Sequence, residues 1–168
     1  RESEADVDQS VSDIIAAVRQ RGDGALFAYT AEFDRAQSSP ETVRVRPDEI
    51  LEAREAVSRK TLDALGKAAA RIRAYHQHQM PEDLRYEDEE GVELGYRWTP
   101  ISSVGLYVPG GTAAYPSSVS MNAVPAVVAG VERVVMVVPA PDGVLNPNVL
   151  AAASTAGIGE IYKIGGAQ

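Results

Sequence analysis

Residues 104–122 read Val-Gly-Leu-Tyr-Val-Pro-Gly-Gly-Thr-Ala-Ala-Tyr-Pro-Ser-Ser-Val-Ser-Met-Asn. An apolar strand, Val104 to Val108, runs into Pro109-Gly110-Gly111, crosses a small-residue loop and enters a helix near Ser117. Strand, glycine turn and helix in that order bring backbone N–H groups and a helix N-terminus to one edge of a sheet. An anion such as a dinucleotide pyrophosphate can be held there. Glycines after a strand also serve simple turn geometry, and the loop lacks the G-x-G-x-x-G spacing of the common dinucleotide fingerprint. Ser117 and Ser118 fit helix N-caps, with a hydroxyl that can also donate to phosphate.

Downstream the pattern repeats. Arg133–Val138 and Glu160–Ile164 read as strands, and Ser118–Gly130 and Asn148–Ala156 as helices, with Pro125 marking a kink or an exposed turn. Apolar strands separated by helices imply a parallel sheet covered on both faces, with right-handed crossovers. Residues 101–168 thus form a β-α-β-α-β unit. Residues 1–100 differ in kind, because 35 of the 40 charged side chains lie there and five in the last 68 positions. Val11, Ile14, Ile15 and Val18 recur at helical spacing before Gly22; a second helix runs from Ala25 to Phe33-Asp34. Pro47 opens a third helix, and Leu62, Leu65, Ala69 and Ile72 line a fourth over Lys60 to Gln77. Glu87–Glu90 reads as a solvated hairpin or loop tip, followed by a strand near 92–98 with one wet face. The fold class is α/β: a mainly helical N-terminal region, 1–100, then an incomplete, Rossmann-like parallel unit, 101–168.

Composition narrows the function. A formal net charge of −8 opposes binding to nucleic acid or anionic membrane, which need basic surfaces. The longest apolar runs are too short to span a bilayer, and residues 1–20 hold five acids and no signal-peptide core. The lack of cysteine fits the cytoplasm. The ending Gly165-Gly166-Ala167-Gln168, a strand entering another turn, and the missing initiator methionine suggest a piece of a longer chain. The two histidines, His76 and His78, point to different sides of a helix and do not share a metal from one face. Tyr107 and Gln168 both fall at the C-terminal edge of the predicted parallel sheet. There an aromatic wall and a carboxamide can meet a flat ring and a ribose or amide.

The string around Gly105-Leu106-Tyr107-Val108-Pro109-Gly110-Gly111 resembles the signature of the histidinol dehydrogenase family. So do Asn122-Ala123-Val124-Pro125-Ala126, Gly130 to Pro139, and Ala156 to Gln168. Arg21-Gly22-Asp23-Gly24-Ala25-Leu26 and Glu32-Phe33-Asp34 resemble its N-terminal helical motifs. The resemblance implies oxidation of L-histidinol to L-histidine with two NAD, a zinc ion holding the substrate, and a homodimer. It makes Tyr107 and Gln168 NAD-binding residues, with Pro109 and Phe33 as weaker candidates for lining the cofactor. The family's zinc ligands and its catalytic Glu-His pair have no counterpart in this chain and are expected downstream of Gln168. Hence catalytic and metal residues are expected to be absent here, and the 168 residues alone are expected to be inactive. Two other readings stand beside this one: a related zinc- and NAD-dependent dehydrogenase of another small alcohol, such as a sulfonated diol, and a non-catalytic nucleotide-binding fragment.

Overall fold

The computed structural model of the chain describes residues 4–109 and 115–168. The predicted Gly110-Gly111 turn lies outside them. Four helices come first: α1 (Glu4–Arg21), α2 (Asp23–Phe33), α3 (Pro47–Ala56) and α4 (Arg59–Gln77). A hairpin follows, β1 (Leu84–Glu87) and β2 (Glu93–Tyr96). The parallel unit is then β3 (Ser103–Tyr107), α5 (Pro116–Val128), β4 (Arg133–Val138), α6 (Pro147–Ala156) and β5 (Glu160–Lys163).

Local chemistry explains most boundaries. Gly22, at φ 58°, breaks α1 from α2 with a backbone that L side chains avoid. Pro47 stands in the first turn of α3, and Glu49 reaches back to the Arg46 N–H at 2.9 Å. Ser58 caps α4 by accepting from the Thr61 N–H at 3.2 Å, and Asn146 caps α6 from the Asn148 N–H at 2.9 Å. α5 differs from expectation. Its N-cap is Tyr115, with no side-chain cap, and Pro116 opens the helix. Ser117 and Ser118 are therefore first-turn residues and not caps. Pro125 lies inside an unbroken α5, half-buried, and has no N–H to give to the turn before it.

The three-stranded sheet has the order β3-β4-β5, all parallel, with Leu106 beside Met136 and Met136 beside Ile161. Because the strands follow one another in sequence order, right-handed crossovers put α5 and α6 on the same face, and the two helices pack together. α3 packs on α6 and α4 on α5, so the helices from the N-terminal region form a second layer on that face. Leu106, Val108, Met136, Val138 and Ile161 are buried beneath them with Val119, Val124, Leu150 and Ala153. The helical cover on both faces that the sequence suggested is thus one-sided among the described residues. Tyr107 on the other face is exposed, and Val135, Val137 and Tyr162 are half-buried.

A further strand-like segment escaped the sequence reading. The Val45 N–H donates to the Ile161 carbonyl at 2.9 Å and the Lys163 N–H to the Val43 carbonyl at 2.8 Å. Arg44 pairs antiparallel with Tyr162. This segment covers the free edge of β5, the edge that would otherwise invite non-native pairing. The hairpin also departs from expectation. β1 pairs antiparallel with β2, and every residue in both strands is exposed, so β2 has two wet faces and not one.

An ion pair on the open face gives the sheet an acid-sensitive clamp. Arg133 of β4 donates to Glu160 of β5 through two bonds of 3.0 and 2.6 Å. These hydrogen bonds from Arg133 hold the Glu160 carboxyl at about 2, against an ordinary 4.5. A carboxyl lowered by folding stabilises the fold above its unfolded value and loses that effect as pH falls towards the folded one. The slope of stability against pH between 4.5 and 2 is therefore expected to flatten in Glu160→Gln, which chemical denaturation across that window will show.

Candidate functional site

The C-terminal ends of β4 and β5 meet the end of α2 and the side of α1 at a cleft of about 600 Å³. Val11 and Ile14 of α1, Pro139 and Pro141 after β4, and Phe33 give it apolar walls. Asp34, Arg35 and the Gly166-Ala167-Gln168 turn supply its polar groups. A larger groove of about 780 Å³ runs along the β1–β2 hairpin. It borders fully exposed strands and contains neither of the residues whose buried polar side-chain atoms lack a partner. The cleft contains both.

Phe33 ends α2 and remains 48% exposed, with its ring stacked on Tyr29 at 5.7 Å between centroids and 2° between planes. Stacking on Tyr29, one helical turn back, limits the motion of an aromatic wall that stays open to a ligand. Gln168 presents the reverse case. Both polar atoms of its carboxamide are shut away from solvent, and neither has a hydrogen-bond partner among the described residues. Leaving such groups unpaired costs about 1–3 kcal/mol apiece, and a buried unpaired polar group calls for a missing partner.

The turn that carries Gln168 depends on two glycines. A Cβ on Gly165 would stand 2.7 Å from both Cβ and Cγ of Pro139. Gly166 adopts φ 65°, and a Cβ there would collide with the Gln168 side-chain oxygen. The backbone after β5 therefore passes hard against the chain after β4, and the glutamine folds back over Gly166.

Opposite this turn, the chain is held by a paired strain. Among the described residues the non-glycine positions with left-handed backbone are Arg35, φ 54°, and Asp142, φ 57°. They bond to each other: Arg35 Nε and Nη2 donate to the two carboxylate oxygens of Asp142 at 2.8 and 2.9 Å. The Asp142 N–H also donates to the Asp34 carbonyl at 2.6 Å. Hydrogen bonds from Arg35 hold the Asp142 carboxyl below the ordinary carboxylate range. So exposed a pair adds little stability by itself. Its effect is positional, fixing the α2 exit against the 3₁₀ turn Pro141–Gly143.

Two of the four sequence-predicted residues, Phe33 and Gln168, thus line one cleft. Tyr107 and Pro109 stand at the C-terminal end of β3, the same edge of the parallel sheet, but outside the lining of that cleft. Tyr107 is 50% exposed and Pro109 is exposed. Asp34 and Arg35, which also line the cleft, and Asp142, which Arg35 bonds, were not singled out from the sequence. Their association runs between positions more than a hundred residues apart, and no local pattern announces it. His76 stands edge-on to Tyr75 at 5.2 Å near the end of α4.

A parallel β-α-β-α-β sheet with a ligand-sized cleft at the carboxyl ends of its strands defines an α/β protein of the Rossmann-like class. A sequence profile of the histidinol dehydrogenase family matches residues 1–168, and the chain belongs to that family. It is 60% identical over 168 residues to a histidinol dehydrogenase of Agrobacterium fabrum and 58% identical over 168 residues to one of Mesorhizobium japonicum. Both alignments cover 100% of this chain and 39% of the relative. The crystal structure of histidinol dehydrogenase from Elizabethkingia anophelis superposes with a TM-score of 0.91 at 34% identity, covering 100% of this chain and 38% of that one. The chain therefore spans about two fifths of the length of these relatives.

Proposed function

We propose that this chain forms the N-terminal part of a zinc-dependent histidinol dehydrogenase, which oxidises L-histidinol to L-histidine with two NAD in the cytoplasm. The observation that supports the cofactor most is the Gln168 carboxamide, buried and unpartnered at the rim of an apolar cleft beside Phe33. A dinucleotide fits that cradle: its rings can lie on Phe33, and its ribose or amide can exchange hydrogen bonds with Gln168. Tyr107 and Pro109, farther along the same edge, would extend the seat under the rest of the cofactor. The chemistry the bound nicotinamide supplies is hydride acceptance. The residues of this chain hold and orient it and keep water from its apolar flank.

Zinc is a different matter. Among the described residues no group of three His, Cys, Asp or Glu side chains could hold a metal ion. The zinc ligands, like the catalytic Glu-His pair, would then lie in sequence beyond Gln168. Residues 1–100 would serve as the helical support and residues 101–168 as part of the cofactor domain. A homodimer is in keeping with the β1–β2 hairpin. Leu84, Tyr86, Leu94 and Tyr96 are exposed on it, an apolar surface of the kind that interfaces cover. Among the described residues no helix is long and apolar enough to cross a membrane.

The test is NADH formation by the whole protein supplied with L-histidinol or, separately, with a sulfonated diol. Turnover of L-histidinol is the expected outcome; turnover of the diol alone would move the chain to a sister activity, and turnover of neither would leave a nucleotide-binding remnant. In the same assay Gln168→Ala is expected to raise the KM for NAD about tenfold, the effect of losing hydrogen bonds in a buried setting, with a smaller change in kcat.

A further inference from the structure

The cleft contains a buried carboxyl to which neither the sequence reading nor the proposed function gives a role. Asp34 is 8% exposed, and its Oδ2 is buried with no hydrogen-bond partner among the described residues. Its main chain is fixed on both sides: the N–H donates to the Thr30 carbonyl at 3.0 Å, and the carbonyl accepts from the Asp142 N–H at 2.6 Å. Apolar side chains, Val11, Ile14, Phe33, Pro139 and Pro141, make up most of the surrounding wall. The cation next in sequence, Arg35, is committed elsewhere, with two bonds of 2.8 and 2.9 Å to Asp142.

A carboxylate oxygen in an apolar cleft, without a hydrogen-bond partner of its own, requires O–H or N–H donors from whatever enters. Adjacent ribose hydroxyls supply neutral donors at the right spacing for a carboxylate. A phosphate on the ribose supplies the opposite: no donor, and additional negative charge of about −1.5 to −2. In dinucleotide sites generally, an acid accepts from the ribose 2′-hydroxyl, and an arginine is needed to accommodate a 2′-phosphate. Here the Oδ2 of the acid has no hydrogen-bond partner among the described residues, and the arginine, which also lines the cleft, gives its Nε and Nη2 donors to a second acid.

We infer that Asp34 is the acceptor for the ribose hydroxyls of the nucleotide in this cleft, and that Asp142 makes the site reject a 2′-phosphate by holding Arg35. The inference rests on the reading of the cleft as a dinucleotide seat. Asp34 then contributes both affinity for NAD and discrimination against NADP, and the left-handed Arg35–Asp142 pair acts as a specificity lock.

Calorimetric titration of NAD+ and NADP+ into the whole protein separates the possibilities. Asp34→Asn keeps the side-chain shape; it is expected to weaken NAD+ binding about tenfold, the order expected for a hydrogen bond to a charged group, and to narrow the NAD+/NADP+ ratio. Asp142→Asn leaves Asp34 in place and frees Arg35, so NADP+ is expected to bind about tenfold more tightly, as a gained charge-assisted contact allows. Unchanged NAD+ affinity in Asp34→Asn, with wild type binding NAD+ normally, would overturn the role of Asp34 and leave the cofactor reading intact. Unchanged NADP+ affinity in Asp142→Asn would overturn the lock. Failure of the wild type to bind either dinucleotide would remove the cofactor reading and this inference together.

Discussion

Ile161→Ala is expected to destabilise the protein by about 2–5 kcal/mol, the range for truncating a fully buried Ile, Leu or Met side chain. Ile161 is 0% exposed and lies beside Met136 in the parallel register, so its γ and δ carbons fill the contact between the last two strands and the helices above. The neighbours cannot easily close the space. Met136, Val108, Val119 and Val124 are themselves fully buried, and a close-packed core relaxes only in part around a cavity. The same residue also receives the Val45 N–H on its carbonyl, so loosening of β5 is expected to release the Val43–Val45 segment as well. Urea unfolding read by circular dichroism measures the loss, and earlier amide exchange at Val45 and Lys163 measures the release. A change below about 1 kcal/mol would mean that β5 is not the packed floor of the core.

Gly165→Val combines a stability effect with a functional one. A Cβ at Gly165 would lie 2.7 Å from two side-chain atoms of Pro139 and 3.1 Å from its Cα. The pyrrolidine ring has no rotamer into which it can withdraw, so the backbone must separate, and valine adds its methyl groups to the collision. Overpacking of this kind costs about 1–3 kcal/mol. The displacement falls on the turn that leads to Gly166 and Gln168, so NAD affinity is expected to fall along with the thermal midpoint. Gly159→Ala provides the contrast: a Cβ there meets no atom within 4 Å, and both quantities are expected to stay near wild type. If Gly165→Val binds NAD as wild type does, the turn does not position Gln168.

These two effects mark what was legible in the sequence and what was not. The apolar run Arg133-Val134-Val135-Met136-Val137-Val138 reads as a strand and is one, over those residues, since both flanking composition and β-branched content agree. Pro47 and Gly22 mark helix boundaries because their backbone restrictions are local. The resemblance to the histidinol dehydrogenase family was legible over nearly the whole chain, and two of the residues it pointed to, Phe33 and Gln168, line one cleft. Three features were hidden for physical reasons. The Leu84–Glu87 strand is short and exposed on both faces, so it has no buried stripe to betray it. Val43–Val45 becomes strand-like only through bonds to Ile161 and Lys163. The Arg35–Asp142 pair and the unpaired Asp34 oxygen exist only after folding has joined the end of α2 to the turn behind β4.

The one-sided helical cover has the same origin. Period-2 alternation in Val104, Leu106 and Val108 distinguishes the buried face from the open one. Read as an apolar run, however, the strand suggests burial on both sides. Tyr107, on the open face, is the cost of that simplification.

The central claim is that NAD occupies the cleft between Phe33 and Gln168 at the carboxyl ends of β4 and β5. A crystal structure of the whole protein soaked with NAD+ tests it most directly. The account predicts the dinucleotide against the Phe33 ring, with the Gln168 carboxamide and the Asp34 carboxylate each hydrogen-bonded to it. A dinucleotide seated elsewhere, with both of those side chains still unpartnered, would contradict it.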